Sequence, residues 1–206
     1  MSTSAYNLLW AIPAYSAIFI GIHVWPGGWV ALLGFHLALI VPLLPRLRAL
    51  PPLFLVPISP YLLLLMAFAG LFGGIGLWTV WPYTGASENY QANLLRLGMD
   101  SNFSWGLFIA YFSLINPWIE EAFWRNALNN PTRGPALVDF VFAGFHIIII
   151  DTFVGPFWLL VALLIIASTG WLWRTVTRLT GSLLPATVFH IVADFSIVWV
   201  VYQKSL

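Results

Sequence analysis

The stretch Trp118-Ile-Glu-Glu-Ala-Phe-Trp-Arg125 decides how this chain reads. Two of its seven acidic residues, Glu120 and Glu121, stand side by side among tryptophans, isoleucine and phenylalanine, with Arg125 one helical turn further on. In water such a stretch would be an unremarkable surface turn. Here it lies within a long apolar run, and the whole chain has the same character: 61% hydrophobic, 7% charged and a mean hydropathy of +0.91. Soluble domains carry about 25% charge, so lipid is the expected solvent. An ionisable group inside an apolar helix costs about 2.5–3.5 kcal/mol on insertion scales. Three together therefore imply a site, not a decoration.

Working outward, breakers and hydropathy predict seven helical segments, at roughly 6–25, 28–44, 58–80, 104–129, 135–150, 156–176 and 183–203. The expected fold is all-α, a polytopic transmembrane bundle of about seven spans with six as the alternative count. The expected organisation is one membrane domain over residues 1–206, in which helices within 1–80 have no assigned role and the helical core 104–203 holds the candidate site residues on helices 4, 5 and 7. No Lys or Arg precedes Arg46, so the first segment lacks the basic start of a secretory signal and reads as a retained span. The Pro-rich connection 41–60 and the polar connection 82–103, which holds Glu88, Arg96 and Asp100, each have room for a short interfacial helix.

Arg46, Arg48, Arg133, Arg174 and Arg178 fall in alternate connections, which places them on the cytoplasmic side, the N-terminus inside and the C-terminus outside. Small size and minimal loops favour a prokaryotic inner membrane. A net charge of +1 without a basic cluster gives no nucleic-acid partner, and the absence of Cys removes thiolate chemistry and disulfides.

The remaining polar residues of the helices are few. His146 lies on the fifth segment, His190 and Asp194 on the seventh, and His23 and His36 on the first two, where they read as hydrogen-bonded packing residues. At 1.5 Å of rise per residue, Glu120, His146 and His190 come to depths of about 14, about 16 and about 8–11 Å from the same membrane face. Fourfold spacing pairs Glu121 with Arg125, Phe142 with His146, and His190 with Asp194, while Glu120 points about 100° away from Glu121. One carboxylate is thereby free for chemistry and the other holds the arginine. Asn116-Pro117 predicts a kink, with Asn116 as its local cap. A carboxylate and two imidazoles suit water activation and oxyanion stabilisation inside a hydrated polar cavity. The same Glu and His residues also suit a zinc site with an open position, and a buried polar cluster also serves a non-proteolytic scaffold, immunity protein or carrier.

Other membrane proteases are excluded by pattern. There is no Gly-x-Ser-Gly, no His-Glu-x-x-His and no Gly-x-Gly-Asp. In order, however, Glu120-Glu121-Ala-Phe-Trp-Arg125, Phe142-Ala-Gly-Phe-His146 and His190-Ile-Val-Ala-Asp194 match Glu-Glu-x-x-x-Arg, Phe-x-x-x-His and His-x-x-x-Asn/Asp. The region 116–198 thus resembles the CAAX protease and bacteriocin-processing (CPBP, or ABI) family of glutamic intramembrane endopeptidases. The resemblance implies Glu120 as general base and His146 as its partner in holding the water. His190 and Asp194 would bind the oxyanion or the water, or Asp194 would orient the His190 ring. Glu121, Arg125, Phe142 and Asn116 would support the site. No cofactor or metal is implied, and the expected partners are the bilayer and a membrane-embedded or membrane-anchored protein or peptide substrate.

Overall fold

The computed structural model describes residues 8–86, 90–128 and 130–206. The expected first-span start at Tyr6, the acidic Glu88 and the expected helix end at Asn129 lie outside them. Every regular element among the described residues is a helix.

Helix α1 (Ala11–Val24) finishes in a π-helical turn, and α2 (Gly28–Leu43) runs through a 3-10 turn bearing Arg46 and Arg48 into the short α3 (Leu50–Leu55). Helices α4 (Pro60–Val80) and α9 (Pro156–Thr180) each begin at a proline, whose missing N–H costs nothing at a first helical position. Gly181, at φ 68°, closes α9 in the left-handed conformation that favours glycine. Between them lie α5 (Tyr90–Arg96), α6 (Asn102–Leu114), α7 (Asn116–Glu121, continuing as a π-helix over Ala122–Ala127) and α8 (Leu137–Ile150). The last helix is α10 (Leu184–Ser205). Both connections expected to hold a short helix do so, as α3 and α5.

Four helical runs, Gly28–Leu55, Pro60–Tyr83, Pro156–Thr180 and Leu184–Ser205, are long and apolar enough to cross a membrane, and Ala11–Val24 and Leu137–Ile150 are shorter apolar helices. Their outer faces carry exposed Leu, Ile, Phe and Trp, such as Leu64, Phe68, Phe72, Ile75, Leu160 and Ile165. Such a surface belongs in hydrocarbon, and the chain is an integral membrane protein.

The most extensively packed pair is α4 with α10. Its seam is made by Gly70 and Gly74, where an added Cβ would fall 2.6 Å from the carbonyl oxygens of Phe189 and Ser196 respectively. Small residues allow this approach, and dispersion between close backbones is what holds helices together in lipid. Ser196 adds a hydrogen bond, its Oγ accepting from the Gly74 N–H at 3.0 Å. The seam fixes the stretch of α10 that bears His190 and Asp194. A second core joins α1 and α2 to α7 and α8: Phe35 packs on Phe145 at 4.7 Å between ring centroids, and Trp124 stacks on Phe145 at 5.8 Å.

One end of the bundle gathers the basic residues. Arg46 donates to the Ala127 carbonyl at 3.1 Å, and Arg178 to the Thr132 carbonyl at 3.0 Å. Arg174 departs from its expected place as a solvated loop charge. It is 3% exposed and pairs with Asp139, its Nε and Nη2 reaching the two carboxylate oxygens at 3.0 and 2.7 Å. It also donates to the carbonyls of Asn130, Thr132 and Gly134. Asp139 in turn caps α8, accepting from the Ala136 N–H at 2.8 Å. This ion pair ties the start of α8 and the turn before it to the last third of α9, and its burial requires that nearly every donor be satisfied.

Candidate active site

The helix carrying the two glutamates is broken just before them. Pro117 has no N–H to offer the Ser113 carbonyl, and the backbone at Ile115 departs from helical values (φ −107°) before α7 restarts at Asn116. Asn116 does not cap this kink. Its side chain, 1% exposed, bridges two other helices: Oδ1 accepts from His36 Nε2 at 2.8 Å, and Nδ2 donates to Asp194 Oδ2 at 3.1 Å. The expected local role fails because the restart leaves Asn116 as the first residue of the new turn, pointing into the bundle between α2 and α10.

Glu121, fully buried, does more than anchor Arg125. Its Oε2 lies 3.2 Å from Arg125 Nε, and its Oε1 accepts from His190 Nδ1 at 2.9 Å. The other nitrogen of His190, Nε2, lies 3.5 Å from Asp194 Oδ1. Both nitrogens thus face carboxylate oxygens, which a ring satisfies fully only as imidazolium, donating from each. The Arg125 guanidinium sits against apolar faces, 4.1 Å above the Phe142 ring centroid and 5.0 Å from that of Trp173. Cation–π attraction holds it there. Gly170 makes room, since a Cβ at that position would meet the Phe142 ring at 2.9 Å.

Glu120 has a different environment. It is 2% exposed, its Oε2 has no hydrogen-bond partner, and the charges of His190 and Asp194 and the Asn116 amide act on it directly. The two adjacent carboxylates therefore have different neighbours, as the helical angle suggests: Glu121 stands between a histidine and an arginine, whereas Glu120 Oε2, among the described residues, has neither a hydrogen bond nor an ion pair.

His146 stands to one side. Its Nδ1 donates to the Phe142 carbonyl of its own helix at 3.1 Å, which leaves Nε2 with a free lone pair. The ring stacks on Phe145 at 3.9 Å and meets Phe142 edge-on at 5.1 Å. Phe142 in turn touches the His190 ring at 6.4 Å, so it is the wall shared by the two histidines. Among the described residues no hydrogen bond or ion pair joins His146 to Glu120. Glu120, Glu121, Arg125, Asn116, His190 and Asp194 form one cluster of polar groups, and His146 stands beside it against Phe142.

Sequence reasoning missed the part played by four residues. His36 and Tyr111 extend the cluster into α2 and α6, Tyr111 Oη lying 3.1 Å from His36 Nδ1. An isolated histidine on an apolar helix gives no sign of its partner, although two polar groups facing the same kink is a signal of a sort. Asp139 with Arg174 closes the space beside Arg125, where Trp124, Arg125, Val138, Asp139, Phe142 and Arg174 line a small pocket. His23, by contrast, is exposed and lies against the Phe19 ring, the Ile148 carbonyl and Asp151, away from this cluster.

Among the described residues no group of three or more His, Asp or Glu side chains has the arrangement of a metal site. No curated protein matches the chain, and no solved structure does. The family model for type II CAAX prenyl endopeptidases of the Rce1-like kind matches residues 102–196, which include all three motifs. With its glutamate pair, its arginine and its two histidines in that segment, the region 102–196 of this chain is similar to the Rce1-like type II CAAX prenyl endopeptidases.

Proposed function

We propose that the protein is a glutamic intramembrane endopeptidase that cleaves a membrane-associated polypeptide with water. The single observation that carries the reading is the division between neighbours: Glu121 is ion-paired with both His190 and Arg125, whereas Glu120, among the described residues, has a buried oxygen with neither a hydrogen bond nor an ion pair. That oxygen takes a proton from water as the water oxygen attacks the scissile carbonyl carbon. His146, whose Nε2 lone pair is free, helps to hold the water across the Phe142 wall. The oxyanion is met by His190 Nε2–H, which at 3.5 Å from Asp194 is held loosely enough to turn to a new acceptor. Asp194 orients His190 and does not donate. Glu120 then passes its proton to the departing amine nitrogen, the C–N bond breaks, and the carboxylate is restored.

This reading needs no metal. A histidine ligates through a free lone pair, and both nitrogens of His190 face carboxylates instead. The substrate is a protein or peptide held at the membrane, and the family points to a prenylated C-terminal segment as the first probe. With the α6–α7 run taken as a crossing, the reading has seven spans, the N-terminus inside and the C-terminus outside, and the arginine-rich end that holds Arg46 and Arg178 in the cytoplasm of a prokaryotic cell, an orientation that the positive-inside tendency supports.

The test is cleavage of a farnesylated, internally quenched peptide by the protein in vesicles, comparing wild type with Glu120→Gln and His146→Ala, each with and without chelator. Loss of about 100-fold or more in the Glu120 variant is expected of a general base. Cleavage unaffected by Glu120→Gln would remove the base, and loss on chelation restored by zinc would transfer the reaction to a metal.

A further inference from the structure

Helix α2 lies wholly outside the segment matched by the family, yet one of its residues enters the active-site cluster. His36 is 3% exposed and stands at the start of an unbroken polar line. Tyr111 Oη meets His36 Nδ1 at 3.1 Å, His36 Nε2 donates to Asn116 Oδ1 at 2.8 Å, Asn116 Nδ2 donates to Asp194 Oδ2 at 3.1 Å, and Asp194 Oδ1 faces His190 Nε2 at 3.5 Å. We infer that His36 is a positioning residue of the proposed reaction, which sets the Asn116 amide so that Asp194 can only accept and His190 is aimed at the scissile bond. The inference rests on the reading given above.

The reasoning is one of donors and acceptors. A side-chain amide has an oxygen that accepts and a nitrogen that donates, and in a buried site its two ends are fixed by what they meet. A neutral His36 whose Nδ1 accepts a hydrogen bond from the Tyr111 hydroxyl carries its own proton on Nε2, and that N–H selects the amide oxygen. The amide nitrogen is then turned to Asp194 and satisfies one of its oxygens, leaving the other for His190. Without the His36 donor the amide is free to flip, its oxygen would then oppose the Asp194 carboxylate, and the acid would move. His190, held at its far end by Glu121, would follow. Buried polar networks of this kind fail as a unit because an unmatched member is costly in a low-dielectric interior. Aromatic contacts alone do not give His36 this role: its ring lies 5.5 Å from Tyr111 and 6.0 Å from Phe35, which a phenylalanine would reproduce.

The experiment exploits reach. Gln carries its amide nitrogen where histidine carries Nε2, whereas Asn is one bond shorter and matches Nδ1. The protein in vesicles is compared as wild type, His36→Gln and His36→Asn, on the same farnesylated peptide, with thermal unfolding recorded for each. For His36→Asn, kcat falls about 10–100-fold at nearly unchanged KM, as expected when reacting groups are displaced by an ångström or less, while His36→Gln stays within about threefold of wild type. The second readout needs no turnover: nitrogen NMR of the imidazole rings, which is tractable with four histidines in the chain. The His190 resonances shift in His36→Asn and return in His36→Gln. Equal behaviour of the two variants in the ring spectra, whether both normal or both perturbed, would overturn the assignment. Inertness of wild type on the peptide, or full activity of Glu120→Gln, would instead sink the proposed function and leave the ring spectra to decide on His36.

Discussion

Replacing Glu121 by Gln changes one oxygen to an NH2 group without altering shape, and the structure gives the consequence a size. The carboxylate is fully buried, 3.2 Å from Arg125 Nε and 2.9 Å from His190 Nδ1. The amide keeps an acceptor for one of them and presents a donor to the other, so a guanidinium that is 4% exposed loses its nearest counter-charge. Breaking a buried pair from one side costs about 3–5 kcal/mol. At about 2–4 °C per kcal/mol for a chain of this length, Tm falls by roughly 6–20 °C. Glu120→Gln is the contrasting perturbation, because its Oε2 has no partner to lose. That variant should melt at or above the wild-type temperature while losing activity. Tryptophan fluorescence in detergent or vesicles, with 12 indoles reporting, follows both transitions. Adding Arg125→Met to Glu121→Gln removes the orphaned charge and preserves the apolar contact with Phe142, so the double variant should melt higher than Glu121→Gln alone. The reasoning is refuted if Glu121→Gln melts with wild type, or if the double variant is less stable than the single one.

Two further outcomes follow from the scaffold. Arg174→Lys should unfold several degrees below wild type in the same assay, because an ammonium cannot reproduce the two-pronged contact with Asp139 and still reach the carbonyls of Asn130, Thr132 and Gly134. Equal Tm values would show that the pair is not structural. Gly74→Val should part α4 from α10 and lower both Tm and cleavage, since even a Cβ would fall 2.6 Å from the Ser196 carbonyl, whereas Gly76→Ala, with open space around it, should change neither.

The comparison of sequence with structure turns on what local spacing can encode. Fourfold spacing announces Glu121 with Arg125 and His190 with Asp194, since a helix puts such residues on one face whatever surrounds it. The prolines at 60 and 156 and Gly181 mark helix limits for the same local reason. Contacts between helices are another matter. That His190 would meet Glu121 across the bundle, that Asn116 would look away from its own kink, and that His36 would find Asn116 all depend on crossing geometry, which no periodicity in one segment records. Arg174 misled because a charge near a helix end resembles a loop residue. Only its distant acceptor, Asp139, buried near the start of another helix, reveals otherwise. The π-helical winding of Ala122–Ala127 likewise has no mark in the residue types that adopt it.

The core that joins α1 and α2 to α7 and α8, together with the glycine seam of α4 on α10, bears on how the chain could be divided. Phe35 and Leu39 are buried against the same cluster as Trp124, Phe142 and Phe145. Gly70 and Gly74 fit against the backbone that bears His190. Cut at residue 102, the C-terminal half would present these faces bare to lipid, its α10 without a mate and its rings without a floor. The segment that bears the candidate site is thus not a free-standing unit, because the helices before residue 102 supply neighbours that its apolar faces need.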